Sequence, residues 1–200
     1  MKKFLAILIN SLIVILEVIA LTYSIRINGD FLFIYYTELS NLLLLISTSI
    51  YLLNLIFGKG SKKWINDFNF ISICSITNTF LTVLLVLAPI DHFRYGFYLF
   101  HNDFIFFHTL CPVLAIVKFL FFDYKNKYNK KTVLIGLGFT CIYSALTITL
   151  NIIRKIVGPY PFLMVYNQPV FVSIFWFISM FLVAYGICYG LNFFQNKIKA

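Results

Sequence analysis

Charge is scarce in this sequence. Asp, Glu, Lys and Arg make up 12% of its 200 residues, against roughly 25% in an ordinary globular domain. With 61% of the residues hydrophobic and a mean hydropathy of +0.91, too few polar groups remain to cover a surface in water. A water-soluble globular fold is excluded. The alternative solvent is lipid, in which the backbone must satisfy its own polar groups inside helices.

Cysteine pairs at metal or redox spacing are also missing. Cys74, Cys111, Cys141 and Cys188 each fall inside an apolar run, with no CxxC among them. A cysteine in such a setting reads as a small hydrophobe that packs. The three histidines, His92, His101 and His108, do not share zinc-ligand spacing with a glutamate. Neither a metal nor a cofactor is expected. No internal repeat or low-complexity linker divides the chain, so residues 1–200 read as a single integral membrane domain.

What the chain does have is long apolar runs. A bilayer core needs about 20 mostly apolar residues per helix, and six runs qualify: about 4–25, 34–57, 68–90, 104–122, 132–153 and 168–192. The predicted fold is all-α, a polytopic bundle of six transmembrane helices. The opening MKKFLAILIN resembles a signal peptide, but its apolar run is long, contains Glu17 and precedes no small-residue cleavage pattern. It is read as a retained first helix.

The net charge of +9 lies mostly between the runs, so it argues topology rather than nucleic-acid binding. Eleven Lys residues fall at the N-terminus, in the second and fourth connections and in the tail: Lys2, Lys3, Lys59, Lys62, Lys63, Lys125, Lys127, Lys130, Lys131, Lys197 and Lys199. The opposite side carries four cations, Arg26, Arg94, Arg154 and Lys155. This positive-inside bias predicts a multi-pass protein of the cell membrane with both termini cytoplasmic, and membrane lipid as its immediate partner.

Polar residues inside a membrane face other helices or a wet cavity. At helical spacing such faces run Thr37, Asn41, Thr48, Tyr51 on span 2, Ser72, Ser75, Thr79, Thr82 on span 3, and Thr140, Ser144, Thr147, Asn151, Arg154 on span 5. For most of these, close packing with hydrogen bonds across the helix interface is sufficient explanation. Gly186 and Gly190 on span 6 are read the same way. Lys118 lies about 6 Å above the inner end of span 4 by helical rise and is expected to extend its amine to the headgroups. Glu17, about 20 Å above the inner end of span 1, is either protonated or bonded to polar neighbours.

Depth separates two residues from the rest. Thr37 lies about 5 Å and His108 about 6 Å below the outer boundary at about 1.5 Å per residue, so they can share one level. Asn41 is one turn deeper than Thr37 on the same face. His101, Asn151, Arg154 and Tyr160 gather at the outer end, and His92 beside Asp91 reads as a solvated loop residue. A threonine hydroxyl becomes a nucleophile when a base removes its proton, and a neutral imidazole within reach performs that task. Asn41 or a backbone N–H would donate to the oxyanion. Arg154 would hold an anionic headgroup or a fatty carboxylate, with the acyl chain lying among the helices.

Three stretches carry a family resemblance: YYTELSN at 35–41, FFHTLCPVLAIVKFLFFD at 106–123 and GPYPFL at 158–163. In order and placement they resemble the six-span androgen-induced and androgen-dependent membrane protein family, and the SN pair is similar to its bacterial relatives. The resemblance implies an intramembrane threonine hydrolase of fatty acid esters of hydroxy fatty acids, with Thr37 as nucleophile and His108 as base. It assigns no third member to the pair; Glu38 and Asp103 are the carboxylates considered for that place. The rival reading is a small-molecule binding or transport protein, such as the substrate-binding component of a vitamin transporter. Span 1 lacks the small-residue docking patch such components carry. A non-catalytic membrane protein and an acyltransferase complete the alternatives.

Overall fold

A computed structural model describes residues 2–58, 60, 62–123 and 130–198. Of the lysines counted for topology, Lys59, Lys125, Lys127 and Lys199 lie outside the described residues. The described chain is helical throughout, with no strand among its elements. Helix α1 spans Lys2–Asn28 and leads through a 3-10 turn, Gly29–Ile34, into α2, Tyr36–Phe57. Helix α3 covers Lys63–Ile90, α4 is short, Tyr95–Phe100, and α5 covers Phe106–Phe122. Helix α6, Lys131–Ile152, and α7, Val170–Ile198, complete the bundle, with a 3-10 turn at Pro161–Leu163 between them.

Five of these helices, α1, α2, α3, α6 and α7, are long and apolar enough to cross a membrane. Helix α5 is apolar but shorter. Large apolar side chains along α1, α6 and α7, among them Leu8, Ile142, Phe175 and Leu182, point outward. Apolar faces of this extent are stable when lipid is the surrounding medium.

Helix α3 is the centre of the bundle, with Phe70, Ile73 and Cys74 packed among Leu44 of α2, Cys111 and Phe119 of α5, Leu137 of α6 and Cys188 of α7. Apolar burial gains little between helices in lipid, so close packing and interhelical hydrogen bonds hold the bundle. Ser72 and Thr79 of the predicted span-3 face do this work, paired with serines of α2 that lie outside the predicted span-2 face. Ser47 donates to Ser72 at 2.6 Å, and Ser40 meets Thr79 at 2.7 Å, both joining α2 to α3. Gly136 lets α6 approach, since a Cβ there would lie 3.0 Å from the Phe70 ring and 3.1 Å from the Cys188 sulfur.

Two π-turns have a sequence cause. Val83–Leu87 precedes Pro89 and Phe106–Leu110 precedes Pro112. Proline has no N–H for the i−4 carbonyl and its ring crowds that position, so the preceding turn widens. His108 sits in the second of these turns.

Several expectations about residues within the spans are revised or sharpened. Lys118 does not extend to the headgroups. It is 0% exposed, and its amine donates to Asn69 Oδ1 at 2.8 Å and Thr48 Oγ1 at 3.3 Å. Asn69 in turn donates to Asp123 Oδ2 at 2.6 Å, and the Lys118 amine lies 5.2 Å from the Tyr51 ring centre. Partners on α2 and α3 hold it inward, which a depth count along one helix does not register. Glu17 is fully buried beside the Cys111 thiol, a weak hydrogen-bonding partner. Among the described residues, nothing lies within 4 Å of where a Cβ would stand on Gly186 or Gly190, so the close helix approach expected at this pair is not seen. Of the cysteines, Cys74, Cys111 and Cys188 are buried as expected, while Cys141 is exposed.

Candidate functional site

The two ends of the bundle differ in chemistry. Ala6, Tyr51, Leu55 and Ile65 cluster with Phe122 near the termini. At the far end Tyr36, Tyr143, Phe162 and Leu163 form an aromatic cluster joined by Trp176 and Tyr160. Thr37 belongs to this far end, in the first turn of α2.

The N-cap of α2 is Tyr35, and no side chain caps the helix from within. Ser40 instead donates to the Thr37 carbonyl at 2.9 Å. The first backbone N–H groups of a helix lack intrahelical partners, and here a distant residue supplies one. The Thr37 N–H donates to the Tyr160 phenol at 3.2 Å, and the Thr37 hydroxyl lies 3.4 Å from the same oxygen. Either hydroxyl can be the donor in the second contact. Burial pushes the Tyr160 phenol well up, with the Glu38 carboxyl adding in the same direction. Tyr160 is therefore a hydrogen-bond donor and not a base.

Tyr160 is held by stacking on Phe162, with ring centres 5.3 Å apart, and by an edge contact with Tyr35 at 6.1 Å. The loop that carries it folds tightly. A Cβ at Gly158 would lie 2.3 Å from the Leu163 carbonyl oxygen and 2.4 Å from its carbon. Asn151 staples the same loop, donating to the Ile156 carbonyl at 2.9 Å and accepting from the Val165 N–H at 3.0 Å. Gly158→Ala is expected to displace the Tyr160 segment and to cost about 1–3 kcal/mol through overpacking. Thermal unfolding in detergent micelles measures the cost, and an unchanged midpoint would show that the loop yields freely.

Thr37 and Tyr160 both line a cavity of about 920 Å³. Its walls come from α2, α3, α6 and α7 and are mostly apolar, including Leu87, Ile148, Phe162, Trp176, Phe177 and Met180. A few polar atoms interrupt them. Asn78 and Thr82 line the cavity, and their Oδ1 and Oγ1 atoms are buried without a hydrogen-bond partner. An apolar cavity with a few convergent polar groups is the form that small-molecule sites take.

His108 is 4% exposed and does not line this cavity. Its Nδ1–H donates to the Tyr98 carbonyl at 2.6 Å, while Thr109 donates to the Leu99 carbonyl at 2.8 Å. Both carbonyls belong to the last turn of α4, so these side chains fasten the end of α4 onto α5. With the proton on Nδ1, the lone pair is on Nε2. The ring stacks on Phe104 with centres 4.8 Å apart. Asn41 links the two neighbourhoods, donating to the Thr37 carbonyl at 2.8 Å and to the Phe107 carbonyl at 3.5 Å. These bonds commit its amide N–H groups to backbone, and its Oδ1 is buried without a partner.

The remaining predicted residues fall in three places. Glu38 is buried with Oε2 unpartnered, within electrostatic reach of Asp103. Burial pushes the Asp103 carboxyl above its ordinary range. His101 is exposed, its ring 5.0 Å from that of Phe97, and does not join the cavity. Arg154, at φ 59°, lies 4.8 Å over the Tyr166 ring. With Asn151, Lys155 and Asn167 it lines a second cavity of about 560 Å³.

Sequence reasoning named Thr37 and Tyr160 but did not join them, and it passed over Asn78 and Trp176. The signal for Trp176 was present: a tryptophan in the first turns of the last apolar run, facing the aromatic YYT and PYPF stretches. Among the described residues no three His, Cys, Asp or Glu side chains gather as metal ligands would. No protein-family model, curated protein or solved structure matches the chain.

Proposed function

We propose that this protein is an intramembrane hydrolase of fatty acyl esters, a bacterial relative of the androgen-induced and androgen-dependent membrane protein family, with Thr37 as nucleophile. The observation that carries the reading is Thr37 on the wall of a large apolar cavity, its hydroxyl in contact with a buried phenol. The cavity suits an acyl chain. Attack of the hydroxyl on an ester carbonyl would leave an oxyanion for the Tyr160 phenol to stabilise. His108 is the proposed base through Nε2, and Glu38 and Asp103 are the carboxylates available near this end. The proposed topology is six spans, α5 being the shortest, with both termini in the cytoplasm and the cavity in the outer leaflet.

A fluorophosphonate with a long alkyl chain tests the reading. The wild-type adduct is expected on Thr37 by peptide mass spectrometry, and His108→Ala is expected to abolish it. Labelling elsewhere, or none, would remove the hydrolase reading; an undiminished adduct in His108→Ala would remove His108 as base. The second reading is non-catalytic binding of an acyl lipid. It is favoured by the His108 ring being anchored on Tyr98, away from the cavity wall.

A further inference from the structure

The cavity has an open side, and its position tells what can enter. Cys141 and Ala145 on α6, and Ile174, Phe177 and Phe181 on α7, line the cavity and are also exposed at the surface of the bundle. A residue that does both stands on the rim of an opening. These rim positions lie within two helices long and apolar enough to cross a membrane, and none is charged. The opening therefore faces sideways into hydrocarbon rather than along the bundle axis into water.

The far-end limit of the same cavity is chemically different. Tyr166 lines both the apolar cavity and the smaller one that contains Arg154 and Lys155. Among the described residues, no acidic side chain lines the smaller cavity. A chain lying in the larger space would thus place its head beside two cations.

The geometry points to a lateral port between α6 and α7 through which a bilayer lipid with an anionic head inserts one acyl chain, its head held by Arg154 and Lys155. This rests on the cavity being an acyl-chain site but does not depend on hydrolysis. It commits the protein to a ligand drawn from the membrane, not from water. The head chemistry is an anion that either a phospholipid phosphate or a fatty carboxylate supplies.

The chain contains two tryptophans, Trp64 and Trp176. Trp176 lines the cavity, so Trp64→Phe leaves a single reporter inside it. The protein is reconstituted in phosphatidylcholine vesicles containing a small fraction of lipid with brominated chains, which quench tryptophan on contact. Three brominated lipids are compared: phosphatidylglycerol, phosphatidylcholine and a free fatty acid. One or both anionic lipids are expected to quench Trp176 beyond phosphatidylcholine, and which one does so identifies the head.

Ala145→Leu, a lipid-facing substitution at the rim, is expected to remove that excess. Arg154→Ala and Lys155→Ala should each weaken the anionic preference about fivefold. Equal quenching by all three lipids, unchanged by Ala145→Leu, would mean contact with bulk lipid alone and would overturn the port. Absence of a fluorophosphonate adduct from the wild-type protein, with the excess quenching intact, would count against hydrolysis and not against the port.

Discussion

Hydrolysis of a long-chain acyl ester by the Thr37→Ala protein is expected to fall about 10⁴-fold or more, the loss that follows removal of a nucleophile. Thr37→Ser should retain activity, because it keeps the hydroxyl and the backbone N–H that the Tyr160 phenol accepts. Tyr160→Phe separates the two parts of the site. It leaves the hydroxyl in place but removes the donor facing it, and is expected to lower kcat about 100-fold, roughly 3 kcal/mol. The stacking of ring 160 on Phe162 survives this change, so the KM for the ester should move little. A Tyr160→Phe effect confined to KM would instead make the phenol a binding contact. Wild-type rates in Thr37→Ala would end the nucleophile assignment.

The second large effect concerns stability. Lys118→Met is expected to destabilise the bundle by about 3–5 kcal/mol, the range for removing one partner of a buried charged network. The loss follows from what remains. Asn69 would keep its donation to Asp123, but the carboxylate would lose the cation lying beyond Asn69. The double variant Lys118→Met/Asp123→Asn should cost less than the two single changes added, because it removes both charges together. Reversible unfolding in mixed micelles measures all three. A cost within about 0.5 kcal/mol for Lys118→Met, as at an exposed site, would show that the network does not hold α2, α3 and α5 together.

The helices were legible because apolar length is written directly along the chain. The expected runs 34–57 and 132–153 correspond to Tyr36–Phe57 and Lys131–Ile152. The start of α3 was read late, at residue 68 instead of Lys63, since Asn66, Asp67 and Asn69 break the apolar run. Asn66 and Asn69 are buried nonetheless, and Asn69 serves Lys118, 49 residues away in sequence. The polar stripes of α2 and α3 were legible through helical periodicity, and Thr37, Asn41, Ser72, Ser75 and Thr79 are all buried. Periodicity carries nothing about a loop, however. The path that brings Tyr160 onto Thr37, 123 residues away in sequence, depends on the tight approach at Gly158 and the Asn151 staple. Depth placed His108 level with Thr37, but depth does not fix azimuth, and the ring turns toward α4.

The shortness of α5 has a consequence for the surrounding bilayer. A helix covering Phe106–Phe122 extends about 25 Å at about 1.5 Å per residue, against a hydrocarbon thickness of about 30 Å. In the proposed six-span topology, lipid beside α5 would thin or the helix would leave polar ends submerged, and mismatch costs a fraction of a kcal/mol per Å. On that proposal the protein would favour thin membranes and would draw the headgroup layer inward along one flank.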